Sequence, residues 1–378
     1  MRIGIVAPPW IPVPPVSYDG TELAVEQLVR GLVRARHEVD LVAHPDSTVA
    51  QDLPGVTVHS PFVPVDGIDM GQCAHELAWT LAAYEHLRIT RPDVIHDHTI
   101  SGAPLGPELW PGPLVVTNHG PFDTVTTPVY ERASRHAAVV ALTGAHAATT
   151  LVPTTVVRHG LDVDTFPFGR GEGGHLLFLG RMSPDKGVHL AVEVAERSGL
   201  PLVIAAKARE RRERRYLDEV IRPHLSDQIR FVEEPPTAYK LRLLADAIAL
   251  VNPIRWPEPF GLAMAEALAC GTPVLAFADG SAPELVRHGR TGFVCASVEE
   301  MTERVRQLDR LDRYACRAFV ATQLTVERMI ADHLGLYARA RRAADVNRTR
   351  DLNGALDVNR TPGATTDAAR SRAAAPSP

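Results

Sequence analysis

Two glutamates, eight residues apart, flank a junction between a loop and a helix. Glu258 lies in the loop, where Pro259 and Gly261 are typical of a turn, and Glu266 lies in the apolar helix predicted over 262–269. The amides that begin a helix have no internal partners and attract anions or oxygen-rich ligands. A carboxylate in an apolar helix is costly to bury unless donors such as ribose hydroxyls satisfy it. The pair therefore favours a sugar-nucleotide pocket over an ordinary loop acid beside a capping or solvated helix-face carboxylate.

Two cations follow a predicted strand in the second half of the chain. The apolar run 175–179 leads into the loop 180–187, which is bounded by glycines and carries Arg181 and Lys186. At the carboxyl end of a strand, a forked guanidinium and an ammonium can together neutralise a diphosphate. The alternative is a solvated loop with paired surface charges. No G-x-G-x-x-G sequence follows the first strand, which argues against a dehydrogenase.

Length and composition indicate two globular units that act on small molecules. The chain has 378 residues, of which 45% are hydrophobic, and a net charge of -5. That charge gives no argument for nucleic-acid binding and argues mildly against adsorption to anionic lipid. The apolar run near the start is too short for a signal peptide, and no stretch approaches the ~20 apolar residues needed to cross a bilayer. We therefore expect a cytoplasmic protein without stable membrane insertion.

Short apolar runs alternate with helical periodicity along the chain, which predicts buried parallel strands. The first half contains the runs 3–7, 39–43, 94–98, 114–118 and 139–142. The pattern restarts beyond residue 170 with the runs 176–179, 202–205, 229–232, 248–251 and 274–277. In doubly wound sheets ligands bind outside the carboxyl ends of the strands, which is where these motifs fall.

The motif from Glu258 to Glu266, continued as Ala267-Leu-Ala-Cys-Gly-Thr-Pro-Val274, closely resembles the E-x7-E element of the family-4 retaining glycosyltransferases. The loop with Arg181 and Lys186 is similar to their G-R-x4-K-G element. By this resemblance Glu258 contacts the donor sugar and Glu266 the ribose, the two cations bind the diphosphate, and backbone amides of the E-x7-E loop contact sugar and diphosphate. Those amides belong to Phe260, Gly261 and Leu262.

The resemblance implies a GT-B fold, in which two Rossmann-like domains face a central cleft and the C-terminal helix returns to the N-terminal domain. The expected N-terminal acceptor domain comprises 1–164 with the returning helix 325–341, and the donor domain comprises 165–324. From about residue 343 the composition turns to Ala, Asp, Arg, Thr and Pro, so residues 342–378 are predicted to be a disordered tail.

Two elements of the first half also resemble the family. Gly20 stands where a glycine pair approaches the donor phosphate, but Asp19 replaces its neighbour and restricts the backbone there. His119 matches a T-x-H-G element whose histidine reaches the donor sugar or the reacting centre, and His159 replaces the usual asparagine of an N-G-x-D element. The plain alternatives are a helix-start turn and a structural histidine.

Other charged and histidine-rich segments are assigned no such role. On a strand, His96 and His98 of the sequence His-Asp-His point to one face and no third ligand is evident, so we predict no metal site. The basic run 207–215 contains interspersed glutamates and fits a solvated helix face. Peripheral membrane association stays a minority alternative.

The implied reaction is transfer of a hexosyl group from a nucleotide-diphosphate sugar to an unknown acceptor hydroxyl, with retention of configuration and without a metal or other cofactor. A departure from the family pattern at 232–236 leaves the base open, and a UDP-sugar is favoured over a GDP-sugar. The alternatives are another GT-B activity such as a sugar-nucleotide epimerase, and a non-catalytic nucleotide-sugar binding protein.

Overall fold

The computed structural model describes residues 1–16, 19–63 and 72–358, which form two parallel α/β halves. The strands of the first sheet are β1 Arg2–Val6, β2 Glu38–Val42, β3 Val56–His59, β4 Val94–Asp97, β5 Leu114–Thr117, β6 Ala138–Ala141 and β7 Thr154–Val156. Those of the second sheet are β8 Leu176–Arg181, β9 Leu202–Lys207, β10 Ile229–Glu233, β11 Ala249–Asn252, β12 Val274–Phe277 and β13 Gly292–Cys295. The strand orders are β3-β2-β1-β4-β5-β6-β7 and β10-β9-β8-β11-β12-β13. The predicted pair of Rossmann-like halves is confirmed.

Helices connect these strands. The first half contains α1 Gly20–Arg34, α2 Cys73–Thr90, α3 Gly102–Leu109, α4 Thr126–Ala133 and α5 Gly144–Ala148. The second half contains α6 Val188–Ser198, α7 Arg211–Tyr216, α8 Thr237–Asp246, α9 Leu262–Ala269, α10 Ala282–Leu285, α11 Val298–Val305 and α12 Arg313–Gln323, and α13 Val326–Val358 completes the described part of the chain. On α1, the residues Ala24, Leu28 and Leu32 are buried at helical spacing.

The order of strands reverses between β1 and β4 in the first sheet, and between β8 and β11 in the second. Such reversals open a crevice outside the carboxyl ends of the two strands, where ligands bind in doubly wound folds. Arg181 ends β8 and Glu258 follows β11, so two of the predicted site residues come from loops beside the second crevice.

The C-terminal helix returns to the first half, as expected for the fold. Gly31 of α1 faces α13 so closely that a β-carbon there would lie 2.5 Å from Cγ1 of Ile330. The hydroxyl of Tyr337, further along α13, lies 2.8 Å from Nδ1 of His96, the third residue of β4. A small residue on α1 and a polar contact at the sheet therefore seat the returning helix.

The helix does not end where the sequence predicted. It continues from Arg341 to Val358, a stretch in which Ala, Arg and Leu are good helix formers, and so it overlaps residues 342–358 of the predicted tail. The rest of the predicted tail, 359–378, lies outside the described residues. The predicted domain boundary at residue 164 falls in the segment between β7 and β8.

Candidate functional site

The loops that follow β8 and β11 bring together the two predicted cations and the first predicted acid. The Lys186 ammonium forms an ion pair with the Glu258 carboxylate. It also lies 4.7 Å from the centre of the Trp256 ring, within the range of a cation–π contact. Arg181 makes a separate pair, since its Nη2 donates to Oδ2 of Asp185 at 3.0 Å. The cations at this edge therefore carry their own counter-ions.

The loop before α9 is held by a glycine turn and by hydrogen bonds from Ser281. Gly261 adopts a left-handed conformation with φ of 82°, which favours glycine, and a β-carbon there would lie 2.3 Å from Cε of Met264. The Ser281 hydroxyl donates to the carbonyl oxygen of Phe260 at 2.6 Å. The backbone amide of Ser281 donates to the carbonyl oxygen of Glu258 at 3.0 Å. Ser281 thus holds the loop that leads into Leu262, the first residue of α9.

Glu266 is buried within α9, with 1% of its surface exposed. Its Oε1 accepts a hydrogen bond of 2.5 Å from the ammonium of Lys240, on α8. Its Oε2 is buried and has no hydrogen-bond partner among the described residues. A buried carboxylate oxygen without a partner is costly, and a hydroxyl group is one donor that can supply the missing hydrogen bond. Sequence reasoning did not find the counter-ion, because Lys240 lies 26 residues away on another helix.

His119 follows β5 and belongs to a cluster of buried rings. Its Nε2 lies 2.8 Å from Nδ1 of His98, and its ring stacks on that of His159 with centres 5.5 Å apart. Burial, together with a smaller effect of His146, lowers the pKa of His119 to about 3, so the ring is neutral at ordinary pH. The ring of His159 lies 4.9 Å from that of Phe260, so it bridges His119 to the loop before α9.

The two halves make direct hydrogen bonds beside this bridge. Thr143 Oγ1 donates to the carbonyl of Pro259 at 2.9 Å. The Glu284 carboxylate accepts from the Ala145 amide at 2.6 Å and from Arg158 Nη2 at 2.7 Å. Burial alone would raise the pKa of Glu284, but these hydrogen bonds lower it. The loop carrying the first acid is thereby fixed against the first half of the chain.

The start of α1 contacts the second half at two points. A β-carbon on Gly20 would lie 3.2 Å from Cδ1 of Leu262, so α1 and α9 begin next to each other. The buried Asp19 carboxylate forms an ion pair with Lys207 and lies 3.4 Å from Nη2 of Arg209. The prediction that Lys207 belongs to a solvated helix face is wrong: it is the last residue of β9 and is buried.

A second acid shares this environment. Burial and, to a smaller extent, the Asp19 charge raise the pKa of Glu22 to about 7, whereas Lys207 and Arg209 act in the opposite direction. Glu22 lies in the first turn of α1, so two carboxylates face two cations of the other half. No local pattern in the sequence could have shown this, because the groups that meet are almost 190 residues apart.

Within the described ranges, His, Cys, Asp and Glu side chains form no group of three or more that could hold a metal ion. A search of the same residues finds no helix that is both long and apolar enough to span a bilayer.

Two family models match the chain in tandem. Residues 18–169 match Glycosyltransferase Family 4, and residues 169–315 match Glycosyl transferases group 1. Their junction lies between the two sheets that the fold shows. Both models describe glycosyltransferase domains, and the two parallel α/β halves that they match form a GT-B fold.

Curated relatives of this GT-B chain include transferases of different kinds. It is 34% identical to the glycogen synthase of Mycobacterium tuberculosis over 155 residues, which are 39% of this chain and 37% of that enzyme. The match thus spans little more than a third of that relative. It is 28% identical to the D-inositol 3-phosphate glycosyltransferase of Pseudarthrobacter chlorophenolicus over 336 residues, which are 73% of this chain and 78% of the relative.

A solved structure confirms the fold. HepE of Anabaena, determined in complex with UDP and glucose, superimposes with a TM-score of 0.69 at 20% identity, over 90% of this chain and 100% of HepE. At that identity the similarity shows the architecture alone.

Proposed function

We propose that this chain is a glycosyltransferase that moves a hexosyl group from a nucleotide-diphosphate sugar to an acceptor hydroxyl with retention of configuration. The observation that carries the proposal is the pairing at the β8/β11 crevice. Two cations and a glutamate meet there, next to a helix whose buried Glu266 has one carboxylate oxygen without a hydrogen-bond partner in the described part of the chain. A nucleotide sugar offers the anionic diphosphate and the hydroxyl donors that these groups would bind.

The donor-side roles follow from chemistry. Arg181 and Lys186 neutralise the diphosphate, Glu266 accepts a hydrogen bond from a ribose hydroxyl through Oε2, and Glu258 accepts from hydroxyls of the sugar. The relatives that carry out glycosyl transfer support this assignment, and HepE, which was solved with UDP and glucose, supports a uridine nucleotide.

The reaction balances within the donor and the acceptor. The bond between the anomeric carbon and the phosphate oxygen breaks, and its electron pair stays on the departing phosphate. The acceptor oxygen forms the new bond on the same face, and its proton passes to that phosphate oxygen. Arg181 and Lys186 stabilise the charge on the phosphate as it develops, and no metal is assigned a part. His119 is neutral, and because His98 occupies Nε2, its Nδ1 is the atom available to a sugar hydroxyl.

A ligand screen followed by a product assay tests the proposal. Thermal melting with UDP, GDP and UDP-glucose should show stabilisation by UDP and its sugar, since a ligand of the native state raises stability by mass action. The anomeric configuration of a transferred or hydrolysed sugar, followed by proton NMR, then tests retention. Nucleotide binding without any turnover would favour a non-catalytic binding protein, and an epimerised nucleotide sugar would favour an epimerase.

A further inference from the structure

A buried ion pair joins the two halves at a position that the proposed reaction does not use. Asp19, the residue before α1, is 4% exposed, and its partner Lys207 at the end of β9 is 7% exposed. Oδ2 of Asp19 lies near Arg209 and has no hydrogen-bond partner among the described residues. Removing one member of a buried pair leaves an uncompensated charge, so the contact is costly to break unless another anion replaces the carboxylate.

Lys207 belongs to the same cationic edge as Arg181. The two residues are paired across β8 and β9, so their side chains leave the sheet on the same face. Both stand at the carboxyl end of their strands, where ligands of this fold bind. By contrast, Arg209 is held by Glu234 through hydrogen bonds from Nε to Oε1 at 2.9 Å, from Nε to Oε2 at 3.0 Å and from Nη2 to Oε2 at 2.7 Å. Lys207 is therefore the cation whose position best suits a second phosphate contact.

The anion now at Lys207 is a protein carboxylate at the start of the 15-residue helix α1. Lysine and the amides of a helix start also accommodate phosphate. Gly20 and Leu262 close the space between α1 and α9 in this structure, and a diphosphate that reaches both helix starts must separate them. That separation would pull Asp19 away from Lys207.

We propose that Lys207 is a ligand of the donor diphosphate and that Asp19 is an internal anion that occupies this ligand until the donor replaces it. The inference rests on the proposed function, because it assigns a further contact to the same donor. Asp19 then competes with the donor diphosphate for Lys207 and so lowers the donor affinity. Lys207 exchanges the carboxylate for a phosphate and keeps a counter-ion throughout.

Isothermal titration with UDP on the full chain tests the inference through opposite effects of the two partners. D19N removes the competing charge and should tighten UDP binding several-fold. K207Q should weaken it by about tenfold or more, the loss of one charge-assisted hydrogen bond, and K207R should retain most of the affinity. The double variant D19N/K207Q should bind no more tightly than K207Q. D46N, which removes an exposed carboxylate of the same half, is the matched control for net charge and should bind like the wild type.

The outcomes separate this inference from the proposed function. If the wild type binds UDP but D19N weakens binding or K207Q leaves it unchanged, Asp19 and Lys207 only tie the halves together and the inference is wrong. If neither the wild type nor D19N binds UDP or GDP, the proposed function is wrong and the inference with it. Melting curves of each variant show whether it is folded at the temperature of the titration.

Discussion

Acidification should destabilise this protein steeply, because a group of histidines is buried in the neutral form. Five rings pack in a chain of contacts between the first sheet and α13, namely His96, His98, His119, His159 and His333. Burial is the largest cause that lowers the pKa of each, and neighbouring histidines and Arg328 add to it. Because the pKa of each ring is lower in the folded than in the unfolded protein, the neutral rings contribute to the free energy of unfolding above about pH 6.5. That contribution is lost as the pH falls.

The size of the effect follows from proton counting. At pH 5.5 an unfolded histidine binds about 0.9 proton, whereas the folded rings bind almost none, since the pKa is about 3 for His119 and His333 and well depressed for the others. Glu22 and Asp97 act oppositely: burial raises each pKa to about 7, so their stability is present at low pH and is lost as the pH rises toward 7. Summed over these seven groups, the unfolded state at about pH 5.5 binds roughly 2.7 more protons than the folded state. The free energy of unfolding should then fall by about 4 kcal/mol per pH unit near pH 5.5.

Urea unfolding between pH 7.5 and 5.5, followed by circular dichroism, measures this slope. H333Q removes one titrating ring and should reduce the slope by about 1.2 kcal/mol per pH unit. H136Q, at an exposed position of the same half, is the matched control and should leave the slope unchanged. A wild-type slope near zero, or equal slopes for H333Q and the wild type, would refute the assignment of neutral buried rings.

Three further substitutions test the packing of the site. E266Q removes the charge of the carboxylate that pairs with the buried Lys240 and should lower the free energy of unfolding by about 3–5 kcal/mol in urea, and E266Q/K240M should recover part of that loss. G31V places a branched side chain against Ile330 and should cost about 1–3 kcal/mol in the same assay, whereas an unchanged value would contradict the close contact of α1 with α13. E284A removes the acceptor of the Ala145 amide and should speed hydrogen exchange at that amide by mass spectrometry, with unaltered exchange counting against the interdomain bond.

The buried strands could be predicted from sequence, whereas three edge strands could not. Apolar runs mark all the inner strands of both sheets, because a strand covered on both faces reads as continuous apolar sequence. The missed strands are β3, β7 and β13, which lie at sheet edges. Strand β7, with the sequence Thr-Thr-Val, has no fully buried residue, so it carries little apolar signal. Pairing with β6, rather than burial, defines it as a strand.

For the candidate site, the local motifs could be predicted from the sequence, whereas the ion-pair partners far apart in the chain could not. The turn at Gly261 and the loop with Arg181 and Lys186 are local patterns that the structure places beside one crevice. The partners of the charged groups come from elsewhere in the chain: Lys240 is 26 residues from Glu266, and Lys207 is 188 residues from Asp19. Sequence spacing carries no information on such pairs, since the topology of the sheets decides which loops meet.

These distant pairs change how the proposed donor would bind. The sequence analysis assigned hydroxyl binding to Glu258 and phosphate binding to Lys186, but in the structure these two residues pair with each other. Lys207, which it assigned no phosphate role, pairs with Asp19. A nucleotide-diphosphate sugar carries an anion for each cation and hydroxyl donors for Glu258, so it can replace both members of the Lys186 pair at once. An inorganic anion can replace only the carboxylate and would leave Glu258 unpaired, at a cost that grows with burial. On this reasoning the ion pairs select against free phosphate, and pyrophosphate should bind far more weakly than UDP-glucose in the same titration.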